Sequence, residues 1–344
     1  MTNASDVLSL GADPEFFFVS TKDGKPVSPH TFIPGTKEKP APLLGGSSVQ
    51  LDGMAAEIGI QPAKDHNLFA DRLQSAKDQL LRIAPKNVVL SDASSVYFDK
   101  EYYDNSVPAS SKVLGCTPDR DAYNDGKINP IPAIISDING VMRTAGGHIH
   151  FGWTKDADVT SDDHLNDCIM VIRNIDFLYT FFEPMFDTDE KRRLMYGKPG
   201  AFRVKPYGCE YRTPSNAWLK NRLRRIFIYR MCKYAFWAAY NNIDLRDYVR
   251  KNYNAVPYDL RQPLPATIEE KIKQRKSIRS EPIPGSNHPA INCILIDTCI
   301  PPVHDSDGTY VYPPRWTDGL NVFDGDTLAY KQYAKCSYNM RTSW

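Results

Sequence analysis

The sequence predicts an α+β protein with a largely antiparallel sheet and helices on one side. The order of its predicted elements is strand, strand, helix, strands, helix, strand, helix, and this order lacks the regular alternation of a doubly wound parallel sheet. With 344 residues the chain is long enough for one large domain or two ordinary ones. Charged residues make up 24% and apolar residues 42% of the chain, which is typical of globular proteins and argues against disorder.

Turn residues and hydropathy divide the first part of the chain into elements. Residues 8–20, rich in Phe and Val, predict a strand, and residues 21–46, with several Pro and Gly, predict a loop. After the Asp52-Gly53 turn, apolar side chains at every second position predict a strand over residues 54–60. Residues 66–83 predict a helix, because Leu, Ala and the stem of Arg recur there at spacings of four.

The central part of the chain contains short strands and two longer helices. Residues 87–130 predict short strands and loops, and residues 143–153 predict a strand. A helix is predicted over residues 162–182, followed by one strand across residues 201–212. The next helix extends to about residue 242, with a buried stripe of five residues: Ile228, Met231, Cys232, Ala235 and Ala239.

The last hundred residues differ from the rest in composition. They are rich in Pro and weakly patterned, with one helix predicted over residues 267–276. We therefore expect residues 244–344 to form an appendage packed on a core of residues 1–243, and not an independent domain.

The charge balance excludes some classes of partner. Lys and Arg number 42 and Asp and Glu 41, so the formal net charge is +1. A protein that mainly binds nucleic acid or an anionic membrane usually carries a large basic excess, so neither partner is expected. The basic run at residues 221–225 predicts a solvated helix face.

The sequence also predicts a compartment. The first twenty residues lack the basic and apolar regions of a signal peptide, and no window approaches 18 uninterrupted apolar residues. The seven Cys show no CxxC pair, which favours reduced structural thiols. We expect a cytoplasmic protein.

Three short motifs each place two polar side chains two residues apart within an apolar strand. They are Asp13-Pro14-Glu15, His148-Ile149-His150 and Glu210-Tyr211-Arg212. Strand alternation puts both members of each pair on the same face, about 7 Å apart. Carboxylates on such a face are costly unless a cation or a hydrogen-bond network balances them. The three motifs together predict a cation-binding face.

Glu57, between apolar neighbours, and Asp52, at the preceding turn, extend this set of acids. If Asp13, Glu15, Glu57 and Glu210 converge with His148, they cannot all stay charged without cations, because like charges raise one another's pKa. An oxygen-rich set with imidazole suits Mg²⁺ or Mn²⁺, in two or more ions. Zinc is less favoured because no thiolate is positioned.

Each motif taken alone also has an ordinary structural interpretation. Asp13 or Glu15 can pair with an Arg, Glu210 and Arg212 can form a structural ion pair, and Asp52 can be a turn former. The HxH motif follows two glycines, which permit close backbone approach. The agreement of several motifs favours the convergent site.

Basic residues lead up to the Glu210 strand. They are Arg192, Arg193, Lys198, Arg203 and Lys205. Cationic side chains beside a carboxylate-bound metal are what a polyphosphate requires. The sequence contains no GxxxxGK[ST] loop and no GxGxxG fingerprint after a strand. ATP is therefore expected to bind through metals and Arg on a sheet.

Five motifs in this order resemble a known family. They are GADPEFFF, DGMAAEIGIQPA, GCTPD, GGHIHFG and YGKPGAFRVKPYGCEYRTPSN. They are similar to the phage type 2 carboxylate-amine ligases, or amidoligases, of the glutamine synthetase and glutamate-cysteine ligase superfamily. The resemblance covers about residues 8–220 and implies a glutamine synthetase-like catalytic core. If the chain is phage-encoded, the compartment is the host cytoplasm.

The resemblance also implies a reaction and a role for each site residue. ATP phosphorylates a carboxylate, an amine attacks the acyl phosphate, and ADP is formed. The positions that match metal ligands are Asp13, Glu15, Glu57, His148, Glu210 and, less securely, Asp52. The positions that match catalytic and nucleotide-binding residues are His150, Arg203 and Arg212, with Lys205 beside the nucleotide. The implied substrates are a small-molecule or peptide carboxylate and an amine, and a homo-oligomer remains open.

Two other functions remain open. A two-metal phosphohydrolase or nuclease also places Asp, Glu and His on strands, but it needs no acceptor amine. A phage structural or host-interaction protein could keep this fold without catalysis. The retained acids argue against that second alternative, because an unpaired buried carboxylate is costly.

Overall fold

The computed structural model describes residues 8–113, 118–131, 133–183, 195–248 and 303–311, together with Asp187, Asp189 and Arg192. The helix predicted over residues 267–276 lies outside the described residues, as do residues 115–117 of the GCTPD motif. The chain divides into two compact units, one with residues 2–169 and 189–226 and the other with residues 170–188 and 227 onward. The division predicted after residue 243 stays a prediction.

Fourteen strands of the first unit are described. In chain order they are β1 (Ser9–Ser20), β2 (Pro26–Val27), β3 (Ala41–Pro42), β4 (Ser48–Asp52), β5 (Ala55–Gly59), β6 (Val88–Ser91), β7 (Ser95–Phe98), β8 (Arg120–Asp121), β9 (Lys127–Ile128), β10 (Ser136–Asp137), β11 (Gly140–Thr144), β12 (Gly147–Gly152), β13 (Ala201–Lys205) and β14 (Gly208–Tyr211). The main sheet has eleven strands, in the order β3-β4-β5-β1-β12-β14-β13-β8-β9, with β2 and β6 also pairing with β1. Strands β10, β11 and β7 form a separate sheet.

All strand pairs within the described ranges are antiparallel. The helices, in chain order, are α1 (His66–Ile83), α2 (Lys100–Ser106), α3 (Ala109–Lys112), α4 (Asp162–Phe182) and α5 (Arg222–Tyr240). Short 3₁₀ turns cover Pro29–Thr31, Leu44–Gly46 and Asn216–Leu219. The α+β class with an antiparallel sheet is thus confirmed.

Helix α1 has the predicted bounds, and its buried stripe matches the predicted one in part. Asp65 caps its N-terminus by accepting hydrogen bonds from the amides of Asn67 and Leu68. The buried side chains include Phe69 and Leu73, whereas Leu68 is 40% exposed. Ala76 and Leu80 of the predicted spacing are buried, so only the first half of the apolar stripe is turned by one residue.

One face of the main sheet carries polar side chains on neighbouring strands. In the register, Glu57 of β5 lies opposite Glu15 of β1, and Asp13 of β1 lies opposite His148 of β12. Further along, Glu210 of β14 lies opposite both His150 of β12 and Arg203 of β13. Directly opposed residues of antiparallel strands share a face. The side chains that the three motifs predicted to converge are therefore on one face.

The other face of these central strands is apolar and buried. Its residues are exposed by 3% or less: Leu10, Ala12 and Phe16 of β1, Ile149 and Phe151 of β12, and Cys209 and Tyr211 of β14. Burial of such side chains stabilises the fold by about 1.5–3 kcal/mol for each large one. This packing fixes the strands that carry the polar face.

Two predicted strands are each divided in two. Residues 201–212 form the β13–β14 hairpin, because Pro206 cannot continue the ladder and Gly208 adopts a φ of 145°. Residues 143–153 divide between β11, which pairs with β7, and β12, which pairs with β1 and β14. Strand β4, within a stretch that predicted no strand, pairs with β5 across the Asp52-Gly53 turn.

The basic run at residues 221–225 is solvated at Arg222 but buried at its C-terminal end. Arg224 and Arg225 are 5% and 3% exposed. Arg225 donates to the carbonyls of Leu219 and Ala70 and to the Gln74 amide oxygen. The prediction was wrong for these two residues, because their donors satisfy carbonyl groups inside the first unit.

The second unit includes most of α4 and α5 and the short hairpin of β15 (Val303–His304) and β16 (Tyr310–Val311). The predicted buried stripe of α5 is confirmed, since all five of its residues are exposed by 2% or less. Asn174 of α4 bonds to the Ile243 carbonyl and the Leu245 amide. Among the described residues, no helix combines the length and apolarity that crossing a membrane requires.

Candidate active site

A first group of possible metal ligands lies on β1, β12 and β14. It consists of Asp13, His150 and Glu210, each offering one ligand atom within 4.8 Å of the others. The Nε2 atom of His150 lies 2.9 Å from Oδ1 of Asp13. The pairing of β12 with both β1 and β14 brings these three side chains together.

A second group lies on β1, β4 and β5. It consists of Glu15, Asp52 and Glu57, again with ligand atoms within 4.8 Å of one another. Glu15 accepts a hydrogen bond from the Gly146 amide (2.7 Å), and Glu57 accepts one from the Gln50 side chain (2.9 Å). The tight β4–β5 turn places Asp52 beside the two glutamates. Asp52 is therefore a turn residue and a member of the second group at the same time.

His148 stands beside the first group without being part of it. Its Nδ1 lies 3.7 Å from both Asp13 Oδ1 and Glu210 Oε1. Burial and the neighbouring Arg212 hold the pKa of His148 well below its ordinary value. His148 is therefore neutral at pH 7, with a ring nitrogen facing two carboxylates.

The acids of the second group have raised pKa values. Burial and the charge of Asp52 raise the pKa of Glu15 to about 7. Burial, followed by the charges of Asp13 and Asp52, raises the pKa of Glu57 well above its ordinary value. Because the cause is burial together with like charges, protonation of these carboxyls is favoured towards neutral pH, and a bound cation would replace the protons.

Glu210, which is 1% exposed, behaves in the opposite way. Burial acts to raise its pKa, but the charges of Arg212, His150 and Lys205 outweigh it and hold the pKa well below the ordinary value. Arg212 donates to Glu210 Oε1, and Lys205 Nζ lies 2.8 Å from Glu210 Oε2. Arg203 Nη1 lies 3.8 Å from the same carboxylate.

Tyr207, at the β13–β14 turn, orients His150. Its hydroxyl forms a hydrogen bond with Nδ1 of His150, which leaves Nε2 facing Asp13. Burial and the charge of Glu210 raise the pKa of Tyr207, so it remains a phenol. The charges of Asp13 and Glu210 overcome the effect of burial and raise the pKa of His150.

The donor set fits hard divalent cations. Two buried carboxylate oxygens, Asp13 Oδ1 and Glu210 Oε2, lie at ion-pair distance from His150 Nε2 and Lys205 Nζ but accept no hydrogen bond of good geometry within the described residues. Both groups are dominated by carboxylate oxygen, with one imidazole in the first. Mg²⁺ and Mn²⁺ take such ligands, and a cation could be coordinated by these two oxygens.

The arginines of the site differ in exposure. The side chain of Arg212 is 6% exposed and is held by Glu210 and by the Tyr196 hydroxyl. The side chains of Arg203 and Lys205 are 18% and 29% exposed, so a ligand can reach them. Arg192 donates to the Ala145, Thr213 and Pro214 carbonyls, and it therefore acts as a backbone anchor.

Two cavities open beside the two groups of acids. A cavity of about 460 Å³ borders Asp13 and His150 and is walled by Ile60, Pro62 and Tyr207. A much smaller cavity of about 60 Å³ borders Glu15 and Asp52. The site thus offers a roomy side and a narrow side, each next to one candidate cation position.

Three residues of this site carried no role in the sequence motifs. Tyr196 and Tyr207 stood inside the YGKPGAFRVKPYGCEYR stretch, where two aromatic hydroxyls beside charged residues were the available signal. Gln50 belongs to the unpredicted strand β4. Their roles depend on side-chain contacts across strands, which local spacing does not specify.

Known proteins share features with this chain. The sequence model of the family described as Phage phiEco32-like COOH.NH2 ligase-type 2 matches residues 141–258. The predicted resemblance to this family is confirmed. The matched range includes β12, β13 and β14 with their histidines and cations. By its name the family joins carboxyl and amino groups, so the match supports a carboxylate-amine ligase.

A solved structure, the bifunctional glutathione synthetase of Pasteurella multocida, is similar at 12% identity with a TM-score of 0.39. The similarity covers 80% of this chain and 45% of that protein, so the chain spans less than half of its length. Curated proteins give no match.

Proposed function

We propose that the chain is an ATP- and Mg²⁺-dependent carboxylate-amine ligase that forms an amide or peptide bond through an acyl phosphate and releases ADP. The observation that carries the proposal is the placement of two oxygen-rich groups on one sheet face, sharing β1, beside the cations of the β13–β14 hairpin. Together with the family match, this arrangement favours phosphoryl transfer to a carboxylate. A glutamine synthetase-like core within residues 1–243 belongs to the same proposal.

The acids would hold two or more Mg²⁺ or Mn²⁺ ions. Asp13, His150 and Glu210 would hold one ion, and Glu15, Asp52 and Glu57 another. Bound ions would supply charge neutralisation for ATP phosphates and for the carboxylate under attack. In this scheme His148, a neutral imidazole facing Asp13 and Glu210, would ligate the first ion or fix its carboxylates.

The cationic side chains would bind the phosphates. Arg203 and Lys205 are exposed enough to contact a ligand, and both lie beside Glu210. Arg212 stabilises the ionised form of Glu210 and presents its guanidinium to the same face. Donors fixed before reaction stabilise developing charge at little reorganisation cost.

The enzyme would gain most of its rate by holding the acid, the phosphoryl donor and the amine together, since positioned reactants avoid the entropy cost of an encounter. The substrates in this proposal are a small-molecule or peptide carboxylate and an amine. The C-terminal appendage over residues 244–344 remains part of the proposal.

The reaction class can be tested directly. The protein is incubated with ATP, Mg²⁺, pooled amino acids, polyamines and cell extract, and products formed with loss of water are identified by mass spectrometry. Hydroxylamine can replace the amine, because it traps an acyl phosphate as a hydroxamate. ADP that forms only when acid and amine are both present supports the ligase, whereas phosphate release without an acceptor indicates a phosphohydrolase.

Variants at the site test the residue assignments. Glu15→Gln and His148→Ala are expected to lower acid-dependent ADP release at least about a hundredfold while the circular dichroism spectrum is retained. Asp71→Asn is the matched control, because Asp71 is 61% exposed and pairs with Arg222 away from the site. Full activity in either site variant would overturn the assignment.

A further inference from the structure

The narrow cavity beside Glu15 and Asp52 is lined by a cationic side chain, Arg143, that has no role in the proposed mechanism. Arg143 of β11 lines this cavity together with Arg212 and Tyr196. Arg143 is only 5% exposed. A buried guanidinium that faces a cavity requires an explanation, because burying an unpaired charge is costly.

The partners of Arg143 are neutral. Its guanidinium donates to the carbonyls of Met142 and Lys112 and to the Tyr103 hydroxyl, each at 3.0 Å, and it lies 5.2 Å from the centre of the Tyr103 ring. Within the described ranges, no carboxylate lies at ion-pair distance from it. The three acceptors fix the orientation of the group but leave its charge uncompensated.

Glu15 and Asp52 of the second acidic group also line this cavity and form part of its wall. The two carboxylates repel an anion, but a divalent cation bound to them makes the electrostatic potential at that wall positive. An anion between such a cation and a guanidinium is attracted from both sides. The cavity is therefore suited to an anion only when the second group is loaded.

Size and lining restrict the anion further. The cavity is about 60 Å³, and its floor is formed by apolar Phe17, Met54 and Ala55. Phe17, Met54 and Ala55 belong to a packed cluster with Phe98, so the floor is not free to expand. The narrowness of this space favours a carboxylate on an unbranched methylene chain over a bulkier aromatic acid.

We propose that Arg143 and the second acidic group form the subsite for the carboxylate that the enzyme activates, and that this acid is a slender aliphatic one. The inference rests on the proposed ligase function and deepens it. It assigns the narrow side of the site to the acid, and it makes Arg143 a specificity-determining residue.

The test measures binding without ATP. The full chain is titrated with ¹³C-carboxyl-labelled glutarate or acetate in the presence of Mn²⁺, and the paramagnetic relaxation of the carboxyl carbon reports an acid close to a bound ion. We expect relaxation enhancement with the wild type. Arg143→Met should weaken glutarate binding at least tenfold with Mn²⁺ binding within twofold, and Arg143→Lys should retain part of it. Benzoate should show no enhancement.

Arg225→Met is the matched control, because Arg225 is a buried guanidinium held by carbonyls and lines neither cavity. Thermal unfolding verifies that each variant is folded. Unchanged glutarate binding in folded Arg143→Met, no enhancement with any aliphatic acid in the wild type, or tighter Arg143-dependent binding of inorganic phosphate would each overturn the proposal.

The two proposals fail in distinguishable ways. Hydroxamate formation that is equal in the wild type and Arg143→Met would leave the ligase standing and remove the subsite. Arg143-dependent glutarate binding without any ATP cleavage would leave the subsite standing and remove the ligase.

Discussion

Two glutamates on one sheet face, Glu15 and Glu210, have pKa values that are shifted in opposite directions. Glu15 has only other acids close by in its group, and burial with the charge of Asp52 raises its pKa to about 7. Glu210 lies beside Arg212 and Lys205, and its pKa is held well below the ordinary value. Glu210 is therefore ionised at neutral pH, whereas Glu15 is only partly ionised there. The Glu210 side of the site is thus ionised without a ligand, whereas the carboxyls on the Glu15 side become fully ionised when a cation binds to them.

Tyr207 provides a prediction at the level of a single hydroxyl group. Its bond to Nδ1 of His150 directs Nε2 towards Asp13. Residues that orient a metal-binding imidazole typically contribute about 10–100-fold to metal affinity. We expect Tyr207→Phe to weaken one of two Mn²⁺ sites by that factor and to leave the other unchanged, as measured by an electron paramagnetic resonance titration.

A second tyrosine provides the control for this prediction. Tyr102 accepts a hydrogen bond from the Ser28 amide away from the acids, so Tyr102→Phe should leave both Mn²⁺ affinities unchanged. Equal weakening of both Mn²⁺ sites in Tyr207→Phe would contradict an orienting role, because it would indicate a general loosening of the sheet.

At the scale of elements, the sheet face on which each motif side chain lies could be predicted from local sequence, because strand alternation is a local property. The pair Asp13 and Glu15 does lie on one face, and the glycine before His148 does permit close approach. A Cβ atom on Gly147 would lie 2.2 Å from the Ser215 carbonyl oxygen. The spacing rules therefore placed the first-strand acids and the histidines correctly.

The pairing of distant strands could not be predicted in the same way. One continuous strand over residues 201–212 would have separated Lys205 from Glu210, whereas the hairpin brings them to 2.8 Å. Arg143 reaches the site from a different sheet, and local spacing in the sequence does not encode that approach. Long-range register, which depends on packing of the whole sheet, determines these contacts.

The β13–β14 hairpin makes a prediction about stability. A Cβ atom on Gly208 would lie 2.1 Å from the Phe151 carbonyl oxygen and 2.6 Å from the Trp153 ring, at a φ of 145°. We expect Gly208→Ala to lower the free energy of unfolding by about 2–4 kcal/mol, measured by urea denaturation.

The variant Gly24→Ala distinguishes the cost of the steric clash at Gly208 from the cost of its positive φ. Gly24 also has a positive φ, 71°, but a Cβ atom added there would meet no other atom within 4 Å, so Gly24→Ala should cost only about 1–2 kcal/mol. A loss in Gly208→Ala no larger than in Gly24→Ala would show that the hairpin can move away from β12.

At the scale of the whole molecule, the near-zero net charge conceals local separation of charge. The +1 balance of the chain includes four carboxylates concentrated on β1, β5 and β14 and cations concentrated at β13 and its neighbours. Cations and phosphates would complete this balance when substrates bind. The stability of the protein should therefore depend on divalent metal and on pH together.

The direction of that dependence follows from the raised pKa values. Glu15 binds a proton in the folded state up to about pH 7 but only up to about pH 4.5 when unfolded, so this group withdraws stability as pH rises between those values. Glu57 acts in the same direction. Mg²⁺ must displace these protons, and one pH unit below the pKa its affinity falls about tenfold. We expect the Mg²⁺-induced rise in melting temperature to be larger at about pH 8 than at about pH 6.

Isothermal titration calorimetry can measure the number of protons that are released when Mg²⁺ binds. Titrating Mg²⁺ in buffers of different ionisation enthalpy should show proton release at about pH 6.5 that diminishes at about pH 8.5, because Glu15 is then already ionised. Glu15→Gln should reduce both the release and the pH dependence, with Glu57 supplying the remainder. A Mg²⁺ effect of equal size at both pH values would mean that the cation does not bind at Glu15, Asp52 and Glu57, and that the second acidic group is held together by protons alone.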